Sequence, residues 1–191
     1  MSLYAPWAEQ AVAIASFWHV TYSLQGTGNA LVLWLDKSAL PDSPLMPGGI
    51  FSDNLHLAHL LIETLTRHFS EFEGVEVAAL PYQQAEFRHI FDGSDRYTVT
   101  VQAGSHHLVV EWADLLDQKL ITWPGFPAGE QAFDLSTVIC PCRSGKISVN
   151  GTVIPGEVQT GPTSDGHLSS TAFLAFAECW LGPVKANKTV S

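Results

Sequence analysis

Three alternating runs, QAEFRHIF, RYTVTVQ and HLVVEWA, follow one another between residues 84 and 113, with DGSD and AGSH between them and LITW just beyond. Asp92-Gly93 and Gly104-Ser105 are turn formers standing where each period-two run stops, so the segment predicts an antiparallel β-meander. In regular strands Tyr97, Val99 and Val101 share one face and Thr98, Thr100 and Gln102 the other. Across the AGSH turn, Leu108, Val110 and Trp112 form one set, and His107, Val109 and Glu111 the second. If like faces like, the meander has an apolar side and a mixed side carrying Thr98, Thr100, His107 and Glu111.

The surrounding chain supplies a helix and more strands. Asp53 is placed to cap the segment 54–73, whose residues Leu55, Leu57, Ala58, Leu61, Ile62, Leu65, Phe69 and Phe72 fall on one apolar sector, and Gly74 stands where a left-handed stop belongs. FWHVTYSL and ALVLWLDK flank a glycine-bearing connection over 25–29 and predict a hairpin, as does KISV-NG-TVIP, where Asn150-Gly151 suits a type I′ turn. VEVAALP reads as a short strand ended by Pro81, and DLSTVICP as another alternating run. Pro6 suggests a short helix to about residue 16, and SSTAFLAFAECWLGP reads as helix or strand: Ser170 and Gly182-Pro183 lean it to helix, whereas Phe173, Phe176 and Trp180 suit a buried closing strand. Residues 36–52, WPGFPAGEQ and 159–166 read as loops. The expected fold is α+β: a twisted antiparallel sheet of about seven to nine strands, open or partly closed into a barrel, with one long amphipathic helix packed across it. One domain over 1–191, with a mobile tail at 184–191, accounts for the whole chain.

Composition narrows the partners. With nine basic and nineteen acidic residues, the formal charge is −10, which opposes a phosphate backbone or an anionic bilayer. No apolar stretch approaches the roughly 18 residues of a membrane span, and the first basic residue, Lys37, comes too late for a secretory signal, so the expected location is cytoplasmic. The partner expectation is therefore an apolar or mixed-polarity small molecule, with no nucleic acid and no membrane, and with self-association as a further option.

Candidate chemistry is dispersed. His56, His59 and Glu63 share a helix face at metal-ligand spacing, but they lie with Arg67 opposite Leu61 and Leu65, which predicts a solvated face with a Glu63–Arg67 pair. Cys140-Pro141-Cys142 lacks the partners of a zinc or redox site, is too tight for an internal disulfide, and reads as packed thiols with Pro141 at a strand edge or end. No P-loop, dinucleotide-binding, HExxH or GxSxG motif occurs, and no cofactor or metal is indicated. The leading expectation is ligand binding by a curved sheet, with Trp112, Trp123, Phe126, Thr98 and Thr100 as contacts. The alternatives are a cofactor-independent acid/base enzyme using Glu111 and His107 with Arg88 as anion stabiliser, or an assembly protein acting through its aromatic loops.

Overall fold

A computed structural model describes residues 1–6, 10–37, 48–93, 95–164 and 166–182. The first sheet comprises β1 (Ser2–Tyr4), β2 (Ala11–Val20), β3 (Gly28–Leu35), β4 (Gly48–Ser52) and, after helix α1 (Leu55–Thr64), β5 (Tyr82–Gln84), in that spatial order. The second sheet is a curled antiparallel half-barrel. It contains the meander β6 (Glu86–Phe91), β7 (Tyr97–Ala103) and β8 (His106–Leu115), then β9 (Lys119–Ala128), β10 (Gln131–Val149) and β11 (Thr152–Val153). A small hairpin, β12 (Thr160–Pro162) with β13 (Leu168–Ser170), precedes the closing strand β14 (Phe173–Leu181).

Three layers follow from the apolar pattern. Leu31, Leu33 and Leu35 of β3 pack with Val99, Val101, Leu108 and Val110 in the core between the sheets, whereas Ala30 and Val32 face Leu57, Ala58, Leu61 and Ile62 of α1. The first sheet is thus covered on both sides, which is why β2 and β3 read as continuous apolar runs rather than alternating ones. The meander alternates because one of its faces meets the core and the other does not. Like faces like, since Val99 pairs with Val110 and Thr98 with Glu111.

Several expectations are corrected. Residues 11–16 belong to β2, not to a helix: pairing from Ala13↔Leu35 to Val20↔Gly28 uses both apolar faces, and that tertiary gain outweighs the helix propensity of the alanines. Residues 173–181 likewise form β14 along β10, with a bulge opposite Thr137 where Ala177 takes φ +50°. Within the expected loop over 36–52, Gly48–Ser52 is a strand; 38–47 lies outside the described residues, as does the tail at 184–191. The α-helix is shorter than 54–73. Its cap is Asn54, whose side chain accepts from Leu57 N, and it stops at Thr64, where Leu65 leaves helical geometry (φ −126°, ψ −68°) and the Thr66 hydroxyl accepts from the Trp18 indole N–H at 3.1 Å. Single 3₁₀ turns over Thr66–His68 and Ser70–Phe72 continue the path and direct Phe69 onto Trp18 and Trp180. VEVAALP forms another such turn, over Val77–Ala79, instead of a strand.

WPGFPAGEQ does not interrupt pairing, because β9 continues through Ala128 and turns directly into β10. The long strand β10 changes partner along its length: 131–139 pair with β9, and 142–149 with β8. Pro141 stands inside the strand at that change, not at its end, where a missing N–H costs least. The Asn150-Gly151 turn is left-handed at both residues, with φ +51° and +79°, as a type I′ hairpin requires. Among the described residues, no helix is long and apolar enough to cross a membrane.

Candidate functional site

The mixed face of the meander is an outer surface. Arg88 and His107 are exposed, while Thr98, Thr100 and Glu111 are partly covered by one another. Glu111 faces Arg96 at 3.8 Å. Four residues along one strand separate the Cα atoms of His107 and Glu111 by roughly 13 Å, so the structure does not bring this pair together. Trp112 points the other way, into the core, with 3% of its surface exposed. Its indole N–H has no acceptor among the described residues. Trp123, 52% exposed, meets Phe126 edge-on at 5.0 Å, and Phe126 meets Trp180 at 5.4 Å. These aromatics cap the end of β9, β10 and β14 above Phe69. None of the eight expected site residues lines either of two recesses found elsewhere.

The more apolar recess is a groove of about 500 Å³ between the β9–β10–β14 ribbon and the β12–β13 hairpin. Ile121 of β9, Ile139 and Pro141 of β10 and Phe173 of β14 form its apolar floor, and the hairpin contributes Leu168 and several hydroxyls. Ser169 donates to Gly161 O at 3.0 Å and Thr163 to His167 O at 2.9 Å, so these hydroxyls hold the hairpin together. Asp117, Lys119 and His167 are the titratable groups in its wall. His167 Nδ1 lies 2.9 Å from Asp117 Oδ2, and Gln118 N donates to Asp117 Oδ1 at 2.8 Å. The hydrogen bond to His167, then the one from Gln118, holds the Asp117 carboxyl below its ordinary range. With that carboxylate as acceptor, a neutral His167 carries its proton on Nδ1 and keeps the lone pair on Nε2.

The second recess, also about 500 Å³ and more open, lies at the free ends of β2 and β3, where His19, Asn29 and Asp53 are part of its wall. Asp53 accepts from Asn29 N and Asn29 Nδ2, both at 2.6 Å, and Asn29 Oδ1 lies 2.9 Å from His19 Nδ1. The His19 ring is 4.4 Å from that of His89 on β6, whose Nδ1 lies 3.0 Å from the Tyr97 hydroxyl. Burial, followed by the neighbouring His19, pushes the His89 imidazole below its ordinary value, and burial raises the Tyr97 phenol.

Sequence reasoning missed Asp117, His167 and His19. Asp117 and His167 stand fifty positions apart and carry no local motif, so only the fold unites them. A fainter signal existed for His19, a titratable side chain inside the apolar run SFWHV. The helix histidines His56 and His59 are solvent-facing, His59 stacked on Tyr82 at 3.9 Å, and Glu63 pairs with Arg67. Cys140 and Cys142 are buried free thiols, and burial pushes Cys142 up to about 12. Comparison with protein-family models, with curated proteins and with solved structures finds no significant match for this chain.

Proposed function

We propose that this chain binds a small molecule, largely apolar with one polar end, in the groove between the β9–β10–β14 ribbon and the β12–β13 hairpin. The observation that carries this reading is the mixed lining of the groove: apolar Ile121, Ile139, Pro141 and Phe173, together with an oriented Asp117–His167 pair and Lys119. A ligand pocket needs apolar area for affinity and a few fixed polar groups for orientation, and a volume of about 500 Å³ suits a small organic molecule. The site lies on a ribbon bent away from the meander, so it keeps the idea of a curved-sheet pocket while moving it to different residues.

Titration with anilinonaphthalene sulfonate, an apolar probe with one charged end, tests the proposal. Saturable fluorescence enhancement is expected from the native protein. Ser169→Trp, which places an indole over the groove from an exposed position, and Ile121→Asp, which charges its floor, should each weaken binding by about tenfold or more, equivalent to about 1.4 kcal/mol. Glu111→Gln should leave it unchanged. Equal binding by all four proteins would remove the groove from consideration.

A further inference from the structure

The recess at the ends of β2 and β3 holds a histidine whose neutral tautomer is set by its neighbours. Asp53 as a carboxylate can only accept, so both Asn29 donors, N and Nδ2 at 2.6 Å, must face it. The Asn29 carbonyl oxygen is thereby turned to His19, and a carbonyl oxygen 2.9 Å from Nδ1 requires a proton on that nitrogen. A neutral imidazole carries one ring proton. His19 therefore presents Nε2 as a lone pair, in an orientation that Asp53 enforces through Asn29.

The surroundings suit a base that must accept a positive charge. His89, 4.4 Å away, is partly buried with Tyr97 on its Nδ1 and is held in its neutral form, so no standing cation opposes the imidazolium at His19. Asp53 lies beyond Asn29 as the counter-charge. Among the described residues the recess lining has no cysteine, serine or lysine; its two hydroxyls, Thr21 and Thr27, make no hydrogen bond to His19, whose ring pairs with Asn29, so water in the open recess is the species this base activates. The Asp53 carboxylate in the wall disfavours an anionic substrate.

We propose that His19 is the general base of a hydrolytic site in this recess, acting on an uncharged acyl compound. His19 Nε2 takes a proton from water as the water oxygen bonds to the acyl carbon. The bond from that carbon to the leaving oxygen then breaks, the leaving oxygen takes the proton from Nε2, and acid and alcohol depart with the base restored. Asn29 and Asp53 are positioning residues.

Hydrolysis of p-nitrophenyl acetate by the whole chain, followed as nitrophenolate release, tests the assignment. The rate should show a normal solvent deuterium isotope effect and fall about a hundredfold in His19→Gln. His19 is itself exposed, so His107→Gln, an equally exposed imidazole outside the recess, serves as the control and should match the native protein. Asp53→Asn should lower kcat with KM unchanged, because the His19 ring loses its fixed orientation while the recess keeps its walls; a merely structural role would move both. A native rate no greater than that of eight free imidazoles, a His19→Gln rate equal to native, or the absence of an isotope effect would overturn the proposal. Loss of activity in His167→Gln but not in His19→Gln would assign the chemistry to the groove and overturn it equally.

Discussion

Asn54 joins helix α1 to the β2–β3 turn, and replacing it with aspartate separates two tasks that one side chain performs. Its Oδ1 accepts from Leu57 N at 3.1 Å, the capping bond, while its Nδ2 donates to Gln25 O at 2.9 Å and Thr27 O at 3.1 Å. On capping alone, aspartate equals asparagine, and its charge near a helix N-terminus adds about 0.3–1 kcal/mol. A helix-centred view therefore predicts that Asn54→Asp is neutral or stabilising. The fold predicts the opposite. The second carboxylate oxygen would occupy the place of Nδ2, facing two carbonyl oxygens with nothing to donate. Two hydrogen bonds of about 0.5–1.5 kcal/mol each are lost. Water reaches this side chain and relieves part of the repulsion, so the net expected loss is about 1–2 kcal/mol after the dipole gain. Urea unfolding is the assay, with a lower midpoint at unchanged slope as the expected result. The deficit should shrink as the pH falls through the carboxylate range, because a protonated carboxyl can again donate. A midpoint for Asn54→Asp equal to or above native at neutral pH would refute the tether and leave Asn54 as a cap only.

Three further outcomes follow from single positions. Gly48→Ala should cost about 3 kcal/mol or more in urea midpoint, since φ is +144° and an added Cβ would meet the Leu33 carbonyl oxygen at 2.2 Å, where backbone cannot give way. Iodoacetamide should label only Cys179 in the native protein, seen as one adduct by mass, because Cys140 and Cys142 are buried and their thiols are raised, Cys142 to about 12; all three should react in urea. Burial raises the Glu178 carboxyl, with the Trp180 indole bond at 2.6 Å partly opposing, so the folded state holds that proton more tightly than the unfolded chain. Its ionised form therefore lowers stability at neutral pH, and the penalty is relieved as pH falls from the raised value toward the ordinary carboxylate value. Glu178→Gln should be the more stable protein at pH 7, with the two urea midpoints converging in acid; a less stable variant at pH 7 would contradict the sign.

How far the fold was legible depended on whether a segment's signal was local. The meander and the Asn150-Gly151 hairpin were read correctly because turn chemistry and period-two alternation both act within a few residues. The segment over 11–16 reads as helix, and that over 173–181 leans to helix against a closing strand, because their alanines and terminal residues favour that state locally. In the fold, β2 finds β3 on one side and part of β1 on the other, and β14 runs along β10. Neither pairing leaves a trace in its own segment. The helix end was misplaced for the same reason: just beyond it the Thr66 hydroxyl accepts from Trp18, forty-eight positions away.

The candidate site obeys the same physics. Alternation established that Leu108, Val110 and Trp112 turn one way on β8 and that His107 and Glu111 turn the other, and this division holds. Whether the second face would be enclosed depended on where the chain beyond β10 goes. Had the β12–β13 hairpin folded back over the meander, Thr98, Thr100 and Glu111 would line a pocket. Instead Pro141 marks the point where β10 leaves β8 for β9 and β14, and the hairpin covers that second ribbon. The polar groups at the groove are consequently Asp117, next to β9, and the exposed His167, next to β13, residues whose own neighbourhoods look like ordinary loop. In this topology a face becomes a site by being covered, so the most informative residue for locating the groove is Pro141, which lines it while directing the strand that builds it.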